Sequence, residues 1–256
     1  MEEMQFERRG PVAILTVNRP TRRNAMTWEM YERLVELCEL VDGDDEIRVW
    51  ILRGAGGKAF ISGTDISQFK AFQGNPRAGL DYEATIDRIV GRLAAVQKPT
   101  MALIDGFAIG GGLMLALNCD IRIATSESRF SIPCINLGNC LSMANYAKLV
   151  ALVGPSRTLE LMYTGRQLDA SEAMSIGMVN AVVPSDDLET YGVALATRIA
   201  RSAPITVRVT KEAVRRIMGG SIPPGDDLIQ ACYNSRDFQE GVSAFLEKRS
   251  PEWQAR

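Results

Sequence analysis

Between residues 49 and 132, short apolar runs come in pairs before each helical stretch, and that rhythm restricts the fold more than any other feature. Val49-Trp50-Ile51-Leu52 is followed by a Gly54-Ala55-Gly56-Gly57 turn and then by Ala59-Phe60-Ile61. Met101-Ala102-Leu103-Ile104 precedes Asp105-Gly106-Phe107-Ala108-Ile109, and Ile121-Arg122-Ile123-Ala124 precedes Arg129-Phe130-Ser131-Ile132. Val49–Leu52 and Met101–Ile104, apolar throughout, read as buried strands, and the other runs read as strands beside them. Strict alternation of one strand with one helix would give a doubly wound sheet. A strand, strand, helix rhythm repeated about three times predicts an α/β fold in which ββα units coil into a spiral stack.

The flanking segments fit one large core and a tail. Residues 3–18 alternate apolar and polar around Gly10-Pro11, as in a hairpin. Thr27 reads as an N-cap, and Met30, Leu34, Leu37, Cys38 and Val41 follow at helical spacing up to Asp42-Gly43-Asp44. Residues 65–78 read as a short helix and a polar loop marked by Gly74-Asn75-Pro76. Residues 80–96 read as a helix with Ile86, Val90 and Leu93 inward, and 110–118 as a core helix. Helices are expected over 142–152 and 155–163. After Val183-Pro184 nearly everything reads as helical, with an interruption at Gly219–Pro224. The expected division is a spiral core over 1–195 and a helical region over 196–256 that packs on another subunit.

Composition excludes several function classes. With 256 residues, 46% apolar, the chain can bury a sizeable core, and a formal net charge of -2 gives no basic excess for nucleic acid. The five cysteines (Cys38, Cys119, Cys134, Cys140 and Cys232) form no CxxC pattern and read as reduced thiols in a cytoplasmic protein. The acidic, polar start is unlike a signal peptide, and no apolar run approaches the ~20 residues that span a bilayer. There is no histidine. Ser-His-Asp and Cys-His catalysis and every histidine metal site are therefore excluded, and the cysteine spacing supports no Cys₄ site.

Two glycine-centred segments carry the chemistry. Phe60-Ile61-Ser62-Gly63-Thr64-Asp65-Ile66 and Asp105-Gly106-Phe107-Ala108-Ile109-Gly110-Gly111-Gly112-Leu113 each read as a strand ending in glycine and entering a helix. Such ends present unpaired N–H groups. Two of them facing one another would offer two donors to a single oxygen, which is an oxyanion hole. Close helix–strand packing is the other role open to the Gly110–Gly112 triplet.

At these residues the chain resembles the crotonase (enoyl-CoA hydratase/isomerase) superfamily. The resemblance runs through Asn18-Arg19-Pro20, Asn24-Ala25-Met26, Ser62–Ile66, Gly106–Gly112, Asn118-Cys119-Asp120 and Ser131-Ile132-Pro133. It continues through Tyr163-Thr164-Gly165-Arg166, Gly177-Met178-Val179-Asn180 and Phe245–Arg249. It implies a spiral of ββα units with a C-terminal helical trimerisation region, assembled as a trimer or a dimer of trimers. It implies an acyl-CoA thioester substrate, with coenzyme A as part of that substrate and no separate cofactor. By the same resemblance the oxyanion hole is the N–H of Thr64 and of Gly111. Arg22 and Arg23 would contact the CoA phosphates and pantetheine, and Lys58, Ser62, Asp65 and Ile66 would surround the adenine. Phe245 and Lys248 would reach a neighbour's CoA. A solvated surface charge is the ordinary role for each cation, and an N-cap is the ordinary role for Asp65.

The pattern breaks where a hydratase of this family carries its two glutamates. Met114 and Cys134 stand at those positions, and Leu141-Ser142-Met143-Ala144-Asn145 replaces the usual glycine-rich stretch. Water addition needs a base for the water and an acid for the α-carbon. Methionine transfers no proton, and a buried cysteine is a poor base. Decarboxylation, double-bond isomerisation or thioester hydrolysis through Cys134, Cys140, Ser142 or their neighbours is the expectation. A catalytically weak acyl-CoA binder or scaffold is the alternative, and a nucleic-acid-binding role fits the near-neutral charge poorly.

Overall fold

The computed structural model describes residues 2–67, 75, 77–220 and 224–256. Two sheets organise the chain. The larger has six strands in the order β1-β2-β3-β5-β7-β10, the smaller four in the order β4-β6-β8-β9. β1 (Met4–Arg9) and β2 (Val12–Val17) form the expected hairpin, with Met4 opposite Val17 and Arg9 opposite Val12. The paired runs then divide between the sheets. β3 (Val49–Gly54), β5 (Thr100–Ile104) and β7 (Ile121–Thr125) run parallel in the larger. β4 (Ala59–Ile61), β6 (Phe107–Ile109) and β8 (Arg129–Ser131) run parallel in the smaller. Each pair feeds a helix, so the chain winds as stacked ββα turns.

Burial on both faces explains the continuous apolar runs. Along β2, Ala13, Leu15 and Val17 join the main core, while Val12 and Ile14 face a second cluster. Helix α1 (Trp28–Gly43) starts at Thr27, whose hydroxyl accepts the Met30 N–H, and buries Met30, Tyr31, Leu34, Leu37, Cys38 and Val41. Helix α2 (Ala78–Ala94) buries Ile86, Ile89, Val90 and Leu93. Helix α3 (Gly111–Asn118) is buried from Gly112 onward.

The remaining elements follow in order. They are α4 (Cys134–Leu137), α5 (Met143–Val153), α6 (Pro155–Thr164), β9 (Leu168–Asp169), α7 (Ala170–Ser175) and β10 (Ala181–Val183). Helix α8 (Leu188–Ala200) covers the second cluster with Leu188 and Ala196, so the boundary expected at 195/196 falls inside a helix that packs on the sheet. Helices α9 (Pro204–Met218), α10 (Asp226–Tyr233) and α11 (Arg236–Glu247) complete the chain. Gly74 and Pro76 of the expected loop, most of the short helix expected over 65–78, and residues 221–223 of the Gly219–Pro224 interruption lie outside the described residues. No described helix is long and apolar enough to cross a membrane.

Candidate active site

The pairing of β4 with β6 brings the two glycine segments together, and one loop holds the first of them in place. Asn24 is fully buried and its side chain donates to Ala59 O at 2.7 Å and Ala55 O at 3.0 Å, clamping the 18–26 loop onto β4. Met26 is thereby laid beside Thr64 as an isolated parallel bridge. Its N–H donates to Gly63 O and its carbonyl accepts from Asp65 N–H, both at 2.8 Å. Successive groups of an extended chain alternate in direction. With Gly63 O and Asp65 N–H turned to Met26, the Thr64 N–H points to the other side.

The second donor comes from the first turn of α3. Gly110 has φ 52, a left-handed conformation that suits glycine, and its carbonyl accepts from Met114 N–H at 3.0 Å. Gly111 is the first helical residue, so its N–H has no acceptor within the helix. A Cβ on Gly112 would stand 2.0 Å from Ile61 O, so this residue supplies the close packing of helix on strand. Of the two roles that the sequence left open for the triplet, close packing falls to Gly112. A Cβ placed on Gly111 would lie 3.7 Å from Thr64 N, and one placed on Gly63 3.8 Å from Gly111 N. Among the described residues neither the Thr64 nor the Gly111 amide has a protein acceptor.

Both amides line one cavity of about 160 Å³. Met114, Cys134 and Cys140 line it too, with Ser62, Tyr82, Glu83 and Ile86. A second cavity of about 230 Å³ lies between the 42–48 segment and the start of α9, lined by Asp42, Arg48, Lys98 and Arg208. None of the candidate residues lines it.

Hydroxyls fix the Thr64 segment. Thr64 Oγ1 lies 3.0 Å from Tyr31 Oη and 3.0 Å from Tyr82 Oη. Burial raises the pKa of both phenols, so each stays neutral. Trp28 packs on both rings, at centroid distances of 5.9 Å and 5.6 Å.

The other candidates divide. Arg23 lies near the loop: its carbonyl accepts from Ser62 N–H at 3.2 Å, and its guanidinium stands 5.5 Å from the Phe107 ring. Phe107 N–H donates to Lys58 O at 3.1 Å; Arg22, Arg23 and Lys58 are exposed, and Ser62 is half-buried. Ile66 is 60% exposed at the cavity mouth. Asp65 caps the next turn by accepting from Ser67 N–H at 3.1 Å, and it also meets Arg19 at 3.3 Å. Phe245 lies elsewhere, in an apolar groove with Phe238 and Trp253, and Lys248 caps α11 in a left-handed conformation.

The proton-transfer candidates are less open than expected. Burial, with Glu83 and Cys140 nearby, pushes the Cys134 thiol up to about 11. Cys140 is exposed at the cavity edge. Ser142 is the N-cap of α5, accepting from Asn145 N–H at 3.3 Å and donating to Asp87, and it does not line the cavity. Glu83 was not anticipated. It is half-buried, and its Oε2 accepts the Ser142 N–H at 3.0 Å. Burial, then neighbouring Asp87, holds its carboxyl above the usual carboxylate range, against the Ser142 N–H. In sequence it is one polar residue on an amphipathic helix, and only the docking of α2 on the start of α5 brings it to the cavity.

The pattern of the enoyl-CoA hydratase/isomerase family matches residues 7–256. The short-chain-enoyl-CoA hydratase of Clostridium acetobutylicum is 34% identical over 251 residues, spanning 96% of this chain and 95% of that protein. The 2,3-dehydroadipyl-CoA hydratase of Escherichia coli is 32% identical over 264 residues, spanning 100% of both. A solved enoyl-CoA hydratase/carnithine racemase from Magnetospirillum magneticum superposes with a TM-score of 0.93 at 34% identity, covering 100% of this chain and 97% of that one. The chain belongs to the enoyl-CoA hydratase/isomerase family.

Proposed function

We propose that the protein binds an acyl-CoA thioester and stabilises its enolate between the amides of Thr64 and Gly111, without the two-glutamate route of hydration. The observation that supports this is the pair of amides in one cavity, both without a protein acceptor among the described residues. Two fixed donors meet the charge that grows on a thioester oxygen, and losing one costs on the order of 3 kcal/mol. About 160 Å³ holds roughly five water-sized groups, which suits the reacting end of a short acyl chain. Coenzyme A, as part of the substrate, would lie outside across Arg22, Arg23 and Lys58.

Met114 has no proton to give, and the Cys134 thiol at about 11 is almost wholly protonated at neutral pH. Both shape the acyl pocket. Loss of carboxylate from a malonyl-type thioester gives the enolate without a base, and isomerisation needs only one proton-transfer group. The relatives' names point to hydration, so the test sets the two against each other. Butanoyl-CoA should bind in calorimetry, while crotonyl-CoA should be hydrated at no more than a trace rate. Rapid hydration would restore the hydratase assignment. Binding with no turnover of malonyl-type, 3-enoyl or saturated thioesters would leave a binding protein.

Helices α10 and α11 expose Ile229, Tyr233, Val242, Phe245 and Leu246. This apolar face is where the subunits of a trimer would meet, placing Phe245 and Lys248 against a neighbour's CoA.

A further inference from the structure

We infer that Glu83 is the group that takes the α-proton from the bound thioester and returns it. The inference rests on the acyl-CoA reading above and adds the base that the reading lacks. Among the described residues, Glu83 is the only carboxylate lining the cavity that holds the Thr64 and Gly111 amides. One oxygen, Oε2, is anchored by the Ser142 N–H, while Oε1 has no protein partner among the described residues. No lysine or arginine among them forms an ion pair with it. A carboxylate held at one oxygen and open at the other is fixed in place yet able to accept a proton.

Its neighbours are otherwise engaged. Asp87, one turn along α2, is bound by the Ser142 hydroxyl and the Asn145 amide and does not line the cavity. The Tyr82 hydroxyl is bonded to Thr64. Cys134 is held protonated by burial and by Glu83 itself. That leaves the Glu83 carboxylate, raised by burial above its ordinary value, as the cavity's proton acceptor.

The step balances without any co-reactant. The Glu83 carboxylate forms an O–H bond with the α-hydrogen as the α-C–H bond breaks. That electron pair becomes the C=C bond of the enolate, and the carbonyl π pair moves to the oxygen held by Thr64 and Gly111. Reversal returns the proton to carbon. In D₂O the Glu83 proton exchanges with solvent, so deuterium is returned instead.

Glu83 could instead do no more than cap α5. Glu83→Gln separates the two roles, because an amide oxygen still accepts the Ser142 N–H but takes no proton. Butanoyl-CoA in D₂O, followed by NMR at its α-methylene, is the probe. The wild type should exchange these hydrogens. Glu83→Gln should exchange roughly 100-fold or more slowly while binding butanoyl-CoA within about threefold of wild type by calorimetry. Equal exchange in the variant would overturn the assignment, as would a wild type that binds without exchanging. Absence of binding would remove the acyl-CoA reading itself.

A wild-type profile guards against a variant that fails to fold. The exchange rate should rise with pH and level off as one carboxyl loses its proton, above the ordinary carboxylate range. The titratable groups that face Glu83 are Tyr82 and Asp87 on its own helix, Cys134 from α4 and Cys140 from the adjoining loop. Burial holds the Cys134 thiol and the Tyr82 phenol protonated across such a limb. A rate independent of pH across the acid range would reject Glu83 as the base.

Discussion

The Thr64 hydroxyl lies 3.0 Å from the Tyr31 hydroxyl, and this contact ties the amide-bearing loop to helix α1. Tyr31 is 1% exposed, so its hydroxyl has no water to fall back on. The same hydroxyl would stand 3.0 Å from a Cβ at Gly111, so one phenol borders both amides. Tyr31→Phe keeps the packing on Trp28 and leaves Thr64 its bond to Tyr82. It should cost about 1 kcal/mol of positioning, read as a several-fold fall in α-hydrogen exchange with little change in butanoyl-CoA affinity. Thr64→Val removes both hydroxyl bonds while keeping the amide and a β-branched side chain. It should lower exchange further than Tyr31→Phe does, and the reverse order would show that the hydroxyls do not orient the amide.

Glycines in the same fold should respond in opposite directions. At Gly112 an added Cβ meets Ile61 O at 2.0 Å, a backbone contact that no side-chain rotation relieves. Gly112→Ala should destabilise by about 3 kcal/mol, lowering Tm by roughly 10 °C. Gly91, inside α2, has open space around the same atom and is exposed. Gly91→Ala should raise stability by about 1 kcal/mol through helix propensity alone. Parallel thermal melts of the two variants check the contrast.

Cysteine labelling should follow burial. Cys140 is exposed, whereas Cys134 is buried with its thiol pushed up to about 11. At pH 8 only about one Cys134 in a thousand is thiolate, the reactive form. Burial also drives Cys38 and Cys119 up to about 12. Iodoacetamide should therefore modify Cys140 well before these three, as read by peptide mass spectrometry. Butanoyl-CoA should slow the Cys140 reaction, since that residue lines the cavity.

Stability should carry the mark of Glu83. Burial, its largest influence, raises its carboxyl above the ordinary value for glutamate, so the folded state binds more protons than the unfolded one as pH rises past that ordinary value. The slope of stability with pH is then negative between the unfolded and folded pKa values. Its contribution is present at low pH and lost as pH climbs through the folded value. Glu83→Gln removes the titration. The melting temperature of the variant relative to wild type should therefore increase with pH across that window. A difference independent of pH would mean that the carboxyl is not held high.

How far the sequence reached depends on the range of each interaction. The β1–β2 hairpin, the Thr27 cap and the strand pairs are local, written in alternation, one side-chain bond and short apolar runs. Glycine at 63, 110 and 112 marks places where backbone must turn or touch, while the choice of Thr64 and Gly111 as donors comes from the family resemblance. Elements of a few residues, such as β9 and α4, are too short to set a period. Glu83 was hidden for another reason. Its bond to Ser142 spans 59 positions, and nothing in an amphipathic helix tells which exposed acid another helix will cover. The same docking takes up the Ser142 hydroxyl, which sequence alone had offered as a catalytic group.

Isotope-edited infrared spectroscopy of butanoyl-CoA carrying a ¹³C thioester carbonyl reads the bond that the two amides would polarise. On binding to the wild type, the carbonyl stretch should move to lower wavenumber. In Gly111→Pro one donor is lost at a helix position that tolerates proline, and most of that movement should disappear. A bound thioester whose carbonyl stretch stays at its free value in the wild type would contradict polarisation by Thr64 and Gly111.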